Sequence, residues 1–141
     1  MPPMPAIFEF SRRVNQPEIC ESFAQFMMSG MSRTGGSMPS YVVMEDLRKE
    51  VQTPKDGTLS RTIHQNERVK VVLFGLAGGQ EMSRHTAASA AMVQIVEGQI
   101  RFTLDKEERE LTTGSWVFME ANVPHALYAR TDSVMLLTLL L

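Results

Sequence analysis

The 141-residue sequence contains a single cysteine, Cys20. A lone thiol excludes an intramolecular disulfide and any metal site built from several thiolates, and Cys20 reads as a small apolar residue on a helix face. There is no excess of charge of one sign. The 14 Lys and Arg against 16 Asp and Glu leave a formal net charge of -2, which gives none of the basic footprint that nucleic-acid binding needs. The C-terminal apolar run Val134–Leu141 falls well short of the ~20 residues that a membrane-spanning helix takes. Met1-Pro2-Pro3-Met4-Pro5 lacks a basic segment leading into an apolar one, so no secretory signal is read there and a cytoplasmic location is expected. Internal repeats and low-complexity segments are missing, as are a phosphate-binding glycine loop, a Gly-x-Ser-x-Gly elbow and a cysteine–histidine pair at catalytic spacing.

What is present suits one domain. A chain of this length buries enough apolar surface to fold without disulfides, and 43% hydrophobic with 21% charged residues is ordinary for a globular protein. Residues 1–40 stand apart. Ile7–Phe10 reads as a short strand. From Pro17, placed as a first helical residue, Ile19, Cys20, Phe23, Phe26 and Met27 recur at helical spacing as far as Gly30, which predicts an amphipathic helix over Pro17–Met28. Ser32–Ser40 reads as a loop.

From residue 41 onward the pattern is of short apolar runs divided by turn residues, the mark of an all-β sandwich or barrel. Strands are expected over Tyr41–Met44, Leu59–His64, Val69–Leu76, Met92–Val96, Gln99–Leu104, Arg109–Leu111, Trp116–Met119, Ala126–Ala129 and Val134–Leu141. Pro54-Lys-Asp-Gly57 is a turn, and Glu97-Gly98 is expected to join two strands as a hairpin. The charge run Lys106–Glu110 reads as a solvated turn. Val69–Leu76 and Val134–Leu141 are apolar on both faces. One face meets the opposite sheet, and the other needs a cover from the N-terminal helix or from a second subunit, so a homodimer is expected.

Two segments carry a resemblance. The first runs from Gly79 through His85-Thr86-Ala87 and Ala91 to Gly98. The second runs from Gly114 through Glu120-Ala-Asn122-Val-Pro-His125 to Ala129. In glycine placement and in the spacing of every step they resemble the two motifs of small single-domain cupins, over roughly residues 41–141. The resemblance implies an all-β fold, a double-stranded β-helix or jelly-roll barrel, here with the N-terminal helical extension of residues 1–40. Metal-binding cupins take two His and a Glu from the first motif and a His from the second. This chain matches them at His85 and His125 only. Ala87 stands at the second His, Ala91 at the Glu, Glu120 and Asn122 at the Pro and Gly of the second motif, and Ala129 at its Asn.

Two imidazoles fall short of the three protein ligands that an open zinc or iron site normally has. A divalent metal (iron, manganese, nickel, zinc or copper) then needs a third donor. Gln80, Glu81 and Glu120 are near in sequence, and Glu120 is the better candidate because it ends a strand five residues before His125. Phe102 and Met119 are candidate walls of the barrel pocket, while His64 lies outside both motifs and reads as a surface or edge residue. The first functional expectation is a module that binds a small anionic or aromatic molecule beside His85 and His125. The second is a metal-dependent enzyme of dioxygenase or isomerase type on the same histidines, as the resemblance implies. The third is an adaptor dimer whose pocket does nothing. Neither nucleic acid nor membrane is an expected partner.

Overall fold

The computed structural model describes residues 40–141 together with the backbone of Phe8–Phe10. The chain forms β1 (Phe8–Phe10), a short 3-10 helix (Leu47–Lys49), β2 (Thr58–Gln65), β3 (Val69–Leu76), β4 (Glu81–His85), β5 (Ala90–Glu97), β6 (Gln99–Leu104), β7 (Glu107–Thr112), β8 (Trp116–Met119), β9 (His125–Ala129) and β10 (Ser133–Leu140). Among the described residues no helix is long and apolar enough to cross a membrane. The helix expected over Pro17–Met28 lies outside the described residues.

Two antiparallel sheets result, one in the order β1-β2-β3-β10-β5-β8 and one in the order β4-β9-β6-β7. Alternation along each strand decides what lies between them. Val72, Phe74 and Leu76 of β3, Val93 and Ile95 of β5 and Met135 of β10 face Ile100 and Phe102 of β6 and Leu127 and Ala129 of β9, all in one buried cluster. The outer face of the four-stranded sheet is polar: Arg101 lies 5.1 Å over the Tyr128 ring and Arg130 pairs with Glu110 at 2.5 Å.

The outer face of the larger sheet explains why β3 and β10 are apolar on both sides. Leu73 and Val134 form a second buried cluster with Val51, and Leu47, Leu59, Ile63 and Leu136 pack against it. Over Leu73 and Val134 the cover is thus the segment around the 3-10 helix; the Pro17–Met28 helix expected there lies outside the described residues, and the second subunit stays an expectation. Asp46 caps this helix by accepting from the Arg48 N–H at 3.1 Å, and Arg61 anchors the segment through Glu50 at 2.7 Å. The covering backbone comes so close that a Cβ at Gly75 would meet the Gln52 carbonyl oxygen. Toward β8 the cover ends, and Trp116 and Phe118 are 60% and 44% exposed. The strand expected over Tyr41–Met44 is absent: this stretch lies outside every strand, with Tyr41 75% and Val43 71% exposed. β-branched and aromatic residues favour a strand only where a neighbouring edge is there to pair with.

The expected Glu97-Gly98 hairpin also gives way. β5 pairs with β10 and β8, whereas β6 pairs with β7 and β9, so Gly98 is the corner at which the chain passes from one sheet to the other. Its φ is +99°, and an added Cβ would crowd the Asp132 carbonyl oxygen at 2.6 Å and the Ser133 Cα at 2.9 Å. Left-handed strain and overpacking act together there, so Gly98→Ala should cost about 2–3 kcal/mol. A urea midpoint unchanged from wild type would show that the corner is not constrained.

Candidate functional site

The two motifs meet where β4 ends and β9 begins. His85 is the last residue of β4, His125 the first of β9, and the two are direct partners in the antiparallel register. Their ring centroids are 4.2 Å apart at an interplanar angle of 60°. Each ring is held the same way: the Ser83 carbonyl accepts from His85 Nδ1 at 2.7 Å, and the Val123 carbonyl accepts from His125 Nδ1 at 2.8 Å. A carbonyl only accepts, so both Nδ1 atoms carry the proton. In the neutral rings each Nε2 is then left with a lone pair. Phe102 stacks on His125 at 6.2 Å and 11°.

The loop before His125 shows how the altered second motif still folds. Asn122 has φ +66°, in the left-handed region that asparagine tolerates better than most residues, and so it does the conformational work of the motif glycine it replaces. Its N–H donates to the Ala87 carbonyl at 2.7 Å, which ties the second motif to the first.

Burial governs the chemistry of His125. The residue is 8% exposed, and burial holds its pKa below the ordinary imidazole value, with the His85 ring pushing the same way and the Val123 hydrogen bond opposing. A neutral His125 is thus the form that the fold accepts. Below about pH 6.5 the unfolded chain takes up a proton that the folded chain resists, so stability is full above that pH and falls as the pH drops through the folded pKa. We expect the difference in urea midpoint between wild type and His125→Leu to shrink or reverse from pH 7.5 to pH 5. A constant difference would mean that His125 titrates alike in both states.

Around the imidazoles lies a cavity of about 430 Å³, lined by Phe74, Phe102, Met119, Leu127, Met135 and Leu137 among others. The expected wall residues Phe102 and Met119 are both part of it, and so are Ala87 and Ala91. Glu120 is not. It is exposed in the turn after β8 and lies outside the lining, and no group of three or more His, Cys, Asp or Glu able to hold a metal forms among the described residues. Gln80 and Glu81 also stay outside the lining, Gln80 bonding Asp56 at 3.3 Å and Glu81 exposed. The described donor set is two imidazoles, and it does not fit a three-ligand metal centre. His64 takes no part and contacts Asn66 at 3.4 Å.

Among the lining residues that the sequence pattern does not single out, Lys70 stands apart. Lys70 is 3% exposed and lines the cavity. It sits on β3 in the same parity as Val72, Phe74 and Leu76, and that parity was the available signal. Reading β3 as apolar on both faces hid it.

A family model described as "Cupin domain" matches residues 72–140. A crystal structure of a conserved protein of unknown function from Streptococcus pyogenes aligns at 36% identity and a TM-score of 0.64, covering 79% of this chain and 96% of that one. The chain belongs to the cupin family. Two further structures share the fold of this cupin. A cupin superfamily protein from Desulfitobacterium hafniense aligns at 22% identity and a TM-score of 0.66, covering 75% of this chain and 96% of that one. An RmlC-like cupin from Desulfovibrio desulfuricans aligns at 24% and 0.59, covering 73% and 96%. No curated protein matches this cupin.

Proposed function

We propose that this cupin binds a small, largely apolar molecule in its barrel cavity, with the paired imidazoles of His85 and His125 as polar anchor. The observation that carries this reading is the cavity: about 430 Å³ of mostly apolar wall with polar side chains that include Lys70, His85 and His125, within the size range of small-molecule sites. Alanine at positions 87 and 91 leaves volume where the family's metal-binding members place two ligands. Binding needs neither a metal nor turnover.

The test is a thermal-shift and calorimetric screen of small aromatic acids and their neutral analogues against wild type and Ala91→Leu. Ala91 is 2% exposed on the cavity wall, so leucine there fills the space from within. A ligand that raises the melting temperature of wild type and not of the filled variant supports the reading. Equal shifts in both proteins would move binding elsewhere and sink it.

A second reading, metal-dependent chemistry of dioxygenase or isomerase type, is favoured by one observation. Both Nδ1 protons are engaged by backbone carbonyls, and a hydrogen bond of this kind fixes the ring orientation of metal-ligating histidines. It needs a third donor that the described residues do not supply. Near-stoichiometric metal in protein purified without tag or chelator, lost in His85→Ala, would bring this reading to the front.

A further inference from the structure

We propose that Lys70 is a covalent attachment point, whose amine forms a reversible imine with a small apolar aldehyde or ketone held in the barrel cavity. The inference rests on the cavity being a binding site and adds to it a reacting atom and a ligand class.

Three observations converge on Lys70. It lies on the inward face of β3 between the sheets, 3% exposed, and lines the cavity. Among the described residues no hydrogen bond or ion pair partners its amine. The other titratable side chains of the lining are Glu67, His85 and His125, and the carboxylate of Leu141 also borders it without an ion pair to Lys70; Glu67 is exposed on the turn between β2 and β3, and His125 is itself held toward its neutral form. Buried lysines are ordinarily paired, because a lone ammonium in an apolar surrounding is costly. Here partial burial pushes the Lys70 amine below its ordinary pKa, so more of it carries a free lone pair, and Nζ is not a fully buried atom and stays open to the cavity. A desolvated lysine in an apolar pocket is the form of this side chain that attacks carbonyls. If the position served packing only, methionine would fill it without a polar atom to bury.

The step balances without a further reactant. The amine lone pair adds to the carbonyl carbon, the carbonyl π pair moves to oxygen, and a proton passes from nitrogen to that oxygen. Loss of water then leaves the C=N bond, and hydrolysis reverses it. Nothing is oxidised or reduced.

Burial alone and the proposal make opposite statements about one experiment. The other lysines, Lys49, Lys55 and Lys106, are exposed. The full chain is incubated near neutral pH with benzaldehyde and cyanoborohydride, whose hydride converts any imine to a stable secondary amine, and the sites are read by peptide mapping. Lys70 should be labelled first, about tenfold or more faster than the three surface lysines, and Ala91→Leu should abolish that lead while leaving surface labelling unchanged. Labelling of Lys70 last would overturn the proposal. Benzyl alcohol, which has the shape and no carbonyl, separates the two levels: if it raises the melting temperature of wild type and not of Ala91→Leu while Lys70 stays unlabelled, the cavity reading stands and the imine falls; if it does neither, both fall. Lys70→Met should lose the adduct and melt at a higher temperature. A lower one would mean that the amine holds the barrel together, and would count against a reactive role.

Discussion

Phe102→Ala should cost about 3–5 kcal/mol of folding stability. Phe102 is 1% exposed on the inner face of β6 and belongs to the central cluster with Phe74 and Leu127. The loss depends on how far neighbours can close over the removed ring, and here they have little to close with. Phe102 already borders the 430 Å³ cavity, so the new space merges with an existing one and stays open. The same truncation uncovers His125, whose ring Phe102 stacks upon. Burial is the main reason that His125 is held neutral, so the imidazole pKa should move back toward its ordinary value. Urea denaturation at neutral pH measures the first effect and an NMR titration of the imidazole the second. Phe118→Ala is the control, since that ring is 44% exposed on the outer face of β8 and its loss should cost under about 1 kcal/mol. Equal costs at the two positions would mean that the cavity wall is not a packed surface.

Most strands after residue 58 were legible because alternation and turn residues are local signals, though β4 (Glu81–His85) was not expected and Tyr41–Met44 is no strand; which sheet a strand joins is not local. Glu97-Gly98 offers the same residues to a hairpin and to a corner between sheets, and only the pairing of β5 with β10 and β8 separates them. The outer cover of β3 escaped notice for a related reason. The 3-10 helix is three polar-flanked residues, too short for a period, and what matters is that Leu47 and Val51 on either side of it reach Leu73 and Val134. At the site, motif spacing brought His85 and His125 together, and the candidate walls Phe102 and Met119 both line the cavity. Glu120 was a guess from nearness in sequence, and the turn after β8 carries it into solvent. Lys70 shows the opposite failure: one polar letter in an apolar run was read as the run, although its parity pointed inward.

Placing donors at the two alanines tests whether this barrel has the shape that would hold a metal ion beside His85 and His125. Ala87 and Ala91 line the same cavity as His85 and His125. Ala87→His with Ala91→Glu therefore puts a third imidazole and a carboxylate beside two rings whose Nδ1 protons are already engaged by backbone carbonyls. Four such donors make a complete ligand set for zinc or another divalent ion of that class. Chelator competition and metal analysis after dialysis should show affinity rising by orders of magnitude over wild type. The metal-free double variant should lose stability, because Ala91 is 2% exposed and a carboxylate there enters a mostly apolar wall whose lysine, Lys70, lies two strands away across Leu139. Metal should reverse that loss, since an ion bound only by the folded chain stabilises it in proportion to the logarithm of its saturation. The signature is thus a double variant that melts below wild type in chelator and above it in zinc, with Ala91→Glu alone rescued less. If zinc leaves the double variant where chelator does, the four positions do not converge on one point, and geometry as well as donor identity keeps this barrel from holding the ion.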